Sequence, residues 1–139
     1  MVRRKGHQVV TVRPDESVER LLALLEEHRI GALVVSDDGE SVSGIVSERD
    51  VVWRLASEGP GILQGPISQI MTTEVRTCNL DAHIEDLART MTEHRIRHIP
   101  VIADGRLVGV VSIGDVVKHR LGELSTEAQA LHDYVTSGR

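Results

Sequence analysis

A stretch of this chain returns almost unchanged, and that repetition limits the folds open to it. Glu27-His28-Arg29-Ile30 reappears as Glu93-His94-Arg95-Ile96, 66 residues further on. At the same offset Thr11 meets Thr77, Asp15 meets Asp81, Val35 meets Val101, and Asp38-Gly39 meets Asp104-Gly105. With one residue dropped between the blocks, the run from Gly44 to Val52 meets the run from Gly109 to Val117. A period of this kind marks one supersecondary unit used twice. A single copy of roughly 60 residues buries too little of its surface to be comfortable alone. The two copies are therefore expected to pack around a shared core as one pseudo-symmetric domain.

The core must be aliphatic. Apolar residues make up 40% of the 139, but Trp53 and Tyr134 are the only aromatics. The formal charge of −5 argues against a nucleic-acid-binding surface, which is normally basic. Arg3-Arg4-Lys5 reads as a solvated terminus. Cys78 is the single cysteine, so no intrachain disulfide can form. That fits a reducing cytoplasm, the expected location. No apolar run reaches the length of a membrane span or a signal-peptide core.

Periodicity gives the same order of elements in both copies, β-α-β-β-α. Val9 to Val12 reads as a short strand, and Pro14-Asp15 turns the chain. Ser17 can cap a helix whose apolar face is Val18, Leu21, Leu22 and Leu25, at helical spacing. The second copy repeats that face with Ile84, Leu87, Ala88 and Met91. His28 and His94 fall in the last turns, where an imidazole can favour the terminal carbonyls, a reading that outweighs metal ligation. Ala32 to Val35 and Ile99 to Ile102 read as buried strands, with Pro100 suited to a strand start or an edge. Asp37-Asp38-Gly39 and Ala103-Asp104-Gly105 are hairpin turns in which glycine supplies positive φ. Their partner strands, Ser43 to Val46 and Leu107 to Val111, run straight into helices at Ser47 and Ser112. The breaks at Gly59-Pro60-Gly61 and Gly65-Pro66 mark a linker. Ile67 to Thr72 is expected to form a helical turn into the second copy. The repeats are thus 8–58 and 70–121, with a linker at 59–69. In the tail, 122–139, Leu124, Ala128, Leu131 and Val135 recur at the spacing of an amphipathic helix.

Ser-x-x-Asp opens the last helix of both copies, as Ser47-Glu48-Arg49-Asp50 and Ser112-Ile113-Gly114-Asp115. Serine is a preferred N-cap, and an acid three residues on resembles a capping box. The same groups have a second use. Free N–H groups at a helix start, with a hydroxyl beside them, bind phosphate. A carboxylate one turn further can accept both hydroxyls of a ribose diol. A cap alone would accept Glu or Gln at the fourth position, and both copies have Asp.

These residues carry a family resemblance. The chain resembles a tandem pair of cystathionine β-synthase (CBS) domains, a Bateman module. In copy one the matching stretches are Thr11 to Asp15, His28 to Val35 and Gly44 to Asp50. In copy two they are Ile70-Met71-Thr72, Arg95 to Val101 and Gly109 to Asp115. The likeness spans residues 8 to 121 and is strongest to small stand-alone bacterial CBS-pair proteins, whose Ser-Ile-Gly-Asp-Val-Val-Lys ending stands here at Ser112 to Lys118. It implies an α+β fold with the two repeats packed as a pseudo-two-fold pair. It also implies an adenosine nucleotide (AMP, ADP, ATP or NAD) held between the repeats as a regulatory signal; no nucleophile–base pair, metal cluster or Gly-rich catalytic loop is legible in the sequence, so neither catalysis nor a bound metal is expected. The implied phosphate contacts are Ser47 and Ser112, and the implied ribose contacts are Asp50 and Asp115. Ile30, Gly31, Ala32 and Leu33, with Ile96, Arg97, His98 and Ile99, would line the adenine pockets, closed by Thr11 and Thr77. Arg97 and His98 stand where related kinase-regulatory subunits place phosphate-binding basic residues.

The copies differ at these positions. Gly31-Ala32 faces Arg97-His98 in the alignment, and Arg49 faces Gly114. Neither copy has a basic residue in both places, which suits one occupied site or two sites with different ligands. Trp53 aligns with Lys118, so its helix face need not be buried; an interface anchor and a core position are both open to it. A homodimer through helical faces, with Trp53, Val51-Val52, Val116-Val117 and Leu131 as contacts, is the expected assembly. Two rivals remain, a ligand-free dimerisation or scaffold module and an enzyme with an unrecognised site in the same cleft.

Overall fold

The computed structural model describes residues 9 to 122. Arg3-Arg4-Lys5 and the tail residues Leu124, Ala128, Leu131 and Val135 lie outside them. The first copy contains strand β1 (Thr11–Val12), helix α1 (Val18–His28), strands β2 (Ala32–Val35) and β3 (Gly44–Ser47), and helix α2 (Glu48–Glu58). The second contains α3 (Ile84–His94), β4 (His98–Ala103), β5 (Arg106–Ser112) and a helix from 113 to 122, here α4. The expected order therefore holds, with one exception at the start of copy two.

In copy one, β1 runs parallel to β2 and β2 antiparallel to β3. In copy two, β4 and β5 form an antiparallel pair, and the first strand shrinks to a single bridge between Cys78 and Val101. Pro100 explains the difference. Its carbonyl accepts from the Cys78 N–H at 3.0 Å, so this side of β4 faces the incoming chain. A proline on that side has no N–H to extend the pairing back toward Arg76. Pro100 thus lies inside the strand, but on its effective edge.

Local chemistry accounts for the helices. The Ser17 hydroxyl accepts from the Arg20 N–H at 3.1 Å and caps α1. That helix buries Val18, Leu21, Leu24 and Leu25. Leu24, not Leu22, completes the stripe; Leu22 is only partly covered. Helix α3 buries Ile84, Leu87 and Met91 as its spacing predicts. His28 and His94 stand in the last turns, and each helix ends on an arginine in the left-handed region, Arg29 at φ 52° and Arg95 at φ 54°. The second hairpin turns tightly at Asp104 (φ 53°) and Gly105 (φ 75°). The first is a longer loop organised by Asp38, whose Oδ1 accepts from the N–H groups of Glu40 and Ser41, both at 2.8 Å.

The expected single core is not what forms. One apolar cluster joins α1, β2 and Val51 of α2; another joins α3, β4 and Val116 of α4. Each copy closes its own sheet with its own helices, leaving a cleft between the copies. The segment after α2 is no free spacer. It forms short 3-10 turns at Pro60–Gln64 and Ile67–Gln69. Ile67 and Ile70 pack into the first core, and the Val18 N–H donates to the Gly65 carbonyl at 3.0 Å. Thr72 then pairs with Ile45 along the free edge of β3. At the hairpin tips the copies touch directly: the Leu107 N–H donates to the Glu40 carbonyl at 2.7 Å, and Arg106 lies 3.7 Å from the Glu40 carboxylate.

Candidate functional site

Strand register brings the two halves of each predicted site together. Ala32 pairs with Ser47 across β2 and β3, and His98 pairs with Ser112 across β4 and β5. Directly opposed residues in an antiparallel pair share a face. The residue after each first helix therefore stands beside the serine that starts each last helix. The copies meet with these faces turned inward, around a cavity of about 1050 Å³.

The Ser-x-x-Asp motifs are true capping boxes. Ser47 Oγ accepts from the Asp50 N–H at 3.3 Å, while Asp50 Oδ2 accepts from the Ser47 N–H at 2.8 Å and from the Ser47 hydroxyl at 3.1 Å. In copy two the Asp115 N–H donates to Ser112 Oγ at 3.1 Å, and the Ser112 N–H donates to Asp115 Oδ2 at 2.9 Å. The first helical N–H is also taken, by the Gly31 carbonyl for Glu48 (3.0 Å) and by the Arg97 carbonyl for Ile113 (2.8 Å). Among the described residues, the Arg49 and Gly114 N–H groups are the first-turn amides of these two motifs that take no part in these bonds. The expected set of free donors thus narrows to one per copy. Capping and ligand binding do not exclude one another here, because Asp50 keeps Oδ1 outside its capping bonds.

Eleven residues singled out from the sequence line the cavity: Ile30, Gly31, Ala32, Leu33, Ser47, Arg49, Asp50, Ile96, Arg97, His98 and Ser112. Four do not. Thr11 is engaged in the parallel ladder, with Val9 and Val10 at the cavity in its place. Thr77 is likewise displaced, by Glu74, Val75 and Arg76. Ile99 is a core residue. Asp115 caps its helix but lies off the lining, so the copies differ at the very position expected to hold ribose. Gly31 and His98 face one another across the cleft: a Cβ on Gly31 would lie 3.6 Å from the His98 ring and 3.6 Å from Glu48 Oε1. The imidazole of one repeat thus lies at van der Waals distance from the backbone of the other.

Sequence reasoning passed over Arg29, Arg95, Arg76, Glu48 and Thr72, all of which line the cavity. A signal for the first two was present, since both belong to the repeated Glu-His-Arg-Ile run. Trp53 also reaches the cavity edge, with the Arg49 guanidinium 5.7 Å from its ring centre. It is 65% exposed, which removes the core reading. Val51 and Val116 are buried, at 2% and 3%, so only Val52 and Val117 of the two valine pairs remain as surface contacts. Among the described residues no cluster of metal-ligating side chains occurs, and no helix is long and apolar enough to cross a membrane.

The family model for the CBS domain matches the chain twice, at residues 4–57 and 67–122. The CBS domain-containing protein YhcV of Bacillus subtilis is 31% identical over 118 residues, 85% of this chain and 83% of that protein. The crystal structure of the CBS-domain containing protein ATU1752 from Agrobacterium tumefaciens is 46% identical, with a TM-score of 0.80 over 84% of this chain and 93% of that one. A CBS domain pair solved with 5′-methylthioadenosine and S-adenosyl-L-methionine, that of protein MJ0100, is 26% identical at a TM-score of 0.76, over 85% and 92% of the two chains. With both repeats matched by the family model and the α+β fold shared with solved CBS-domain structures, the chain belongs to the CBS domain family, as a tandem pair.

Proposed function

We propose that this CBS pair is a non-catalytic sensor that binds an adenosine nucleotide in the cleft between its repeats. The observation that carries the reading is the cavity itself. Its volume of about 1050 Å³ stands at the upper end of the usual range for small-molecule sites, about 300–1000 Å³. Apolar strand residues, two capped helix starts and several charged side chains converge on it. Ile30, Ala32 and Leu33 offer an apolar wall for a base, and the Arg49 N–H with Ser47 offers a phosphate contact. Asp50 Oδ1 is the acceptor for a ribose diol. A related pair has been solved with two adenosine derivatives, which supports the same chemical class here.

AMP, ADP, ATP and NAD are the ligands to test first, with S-adenosylmethionine and methylthioadenosine beside them. A ligand at one hundred times its dissociation constant adds about 2.7 kcal/mol of stability. For a chain of this length that raises the unfolding midpoint by about 5–10 °C. At least one adenosine compound should do this, and GMP at equal concentration should not. No shift with any of them would return the motifs to helix capping and favour the scaffold reading. That reading has one observation of its own, the closed capping boxes. Incubation with NAD or ATP followed by product analysis tests for catalysis, and no product is expected.

The same proposal extends to assembly. Val52 (59% exposed), Trp53, Val117 (49%) and Leu121 (58%) present apolar surface on the two last helices. Exposed aromatic and aliphatic groups of this kind anchor interfaces, and a second copy of the chain is the proposed partner.

A further inference from the structure

Among the described residues the arginines, Arg20 apart, divide by location; Arg20 is exposed on α1, off the cavity lining and without an ion pair. Outside the cleft, Arg13, Arg54, Arg89, Arg106 and Arg120 each lie within 4 Å of a carboxylate. Among the described residues, Arg29, Arg49, Arg76, Arg95 and Arg97 line the cavity, and no ion pair involves any of them. Glu48, Asp50 and Glu74 are the carboxylates on the same lining. With histidine neutral, an acidic chain therefore carries a net positive cleft, and its cations are held away from the carboxylates that could neutralise them.

Two of the five are also held against local preference. Arg29 and Arg95 adopt φ 52° and φ 54° at the ends of α1 and α3. A side chain in the left-handed region is strained, and glycine is the residue that relieves it. The helix dipole does not single out these positions, because its effect is spread over the whole last turn and needs no cation at the one left-handed residue. Strain kept in both copies at the rim of a cavity points to a use for the side chain.

We infer that Arg29 and Arg95 are anion-binding residues of the cleft, and that its ligand carries a polyphosphate chain. The inference rests on the proposed adenosyl site for the base and ribose, but the anion contacts stand on their own. A sulfonium ligand would be repelled by this lining, and an uncharged thioether nucleoside would gain nothing from it.

The test uses the full chain, calorimetric titration and thermal unfolding. The probes are inorganic tripolyphosphate, ATP, AMP and adenosine. Wild type should bind ATP more tightly than AMP, and tripolyphosphate should bind and compete with ATP. Arg29→Gly and Arg95→Gly should each raise the unfolding midpoint by about 2–6 °C, by relieving the left-handed strain. At least one should weaken ATP and tripolyphosphate by about ten- to a hundredfold, the loss of a charge-assisted contact, with adenosine unchanged. Arg29→Lys and Arg95→Lys should restore part of the lost affinity. Tripolyphosphate binding that survives while adenosine fails would keep the anion contacts and remove the adenosyl reading. Absence of tripolyphosphate binding, equal ATP affinity in both glycine variants and wild type, or equal loss of adenosine and ATP would overturn the inference.

Discussion

Gly44 begins β3, and a single methyl group there should unfasten the junction between the repeats. An ideal Cβ on Gly44 falls 2.8 Å from the Thr72 carbonyl oxygen and 2.9 Å from Met71 Sδ. The thioether can swing aside. The carbonyl cannot, because it accepts from the Ile45 N–H at 2.9 Å while the Thr72 N–H donates back to the Ile45 carbonyl at 2.9 Å. Displacing residue 72 loses both bonds, at about 1 kcal/mol each. Residual overpacking brings the total to about 2–4 kcal/mol. For 139 residues that lowers the midpoint by about 7–14 °C. Thermal unfolding of Gly44→Ala followed by circular dichroism measures this. Gly61→Ala is the control, since its Cβ meets nothing within 4 Å and its midpoint should hold or rise slightly. Thr72 also lines the cavity, so Gly44→Ala should weaken ligand binding as well. A Gly44→Ala melt within about 2 °C of wild type would refute the claim that residue 72 is pinned against β3.

Asp50→Asn keeps an acceptor for the Ser47 N–H, so stability should change by no more than about 1 kcal/mol while nucleotide affinity falls about ten- to a hundredfold. Wild-type affinity in a folded Asp50→Asn variant would leave that carboxylate as a cap alone, and a double-mutant cycle with Arg97→Ala would show whether the two residues share a ligand. Sedimentation should report a dimer of the 15.3 kDa chain at micromolar concentration, and Trp53→Glu should shift it toward monomer; a wild-type monomer would remove the proposed interface. The backbone N–H groups of Ser41 and Glu40 hold the Asp38 carboxyl well below its ordinary value of 3.8. A depressed carboxylate contributes stability above its unfolded pKa and loses it as pH falls toward the folded one. Asp38→Asn should therefore melt below wild type at neutral pH, with the gap narrowing only under about pH 4; a gap independent of pH would refute the assignment.

What could be read from the sequence was set by near neighbours. Helical spacing in Val18 to Leu25 and Ile84 to Met91, the cap at Ser17, the glycine at each hairpin and the Ser-x-x-Asp starts depend on groups a few residues apart, which the sequence displays directly. The duplication then pointed to the family and to a hairpin of the Ala32 and Ser43 strands in copy one matched in copy two, because a repeated pattern implies a repeated packing. The departures came from groups distant in the chain. Symmetry in sequence predicted a strand at Thr77 to match Thr11, but Pro100, some twenty residues on, has no N–H to continue the pairing. A linker rich in glycine and proline reads as a spacer, yet Ile67 and Ile70 fill the first core because α1 and β2 leave room for them.

The site divides along the same line. Which residue types could contact a nucleotide was legible, because the capping groups and apolar strands carry their chemistry locally. Which of them face the cavity was decided by how two separately closed sheets meet. Copy two's own packing took Ile99 into its core, while the meeting of the copies left Asp115 off the lining and placed His98 over Gly31. That meeting also gathered Arg29, Arg76 and Arg95 around one space. In the sequence Arg29 and Arg95 are linked only by the repeat and Arg76 by nothing; their shared place on the cavity lining, a property of the folded surface, makes them a group.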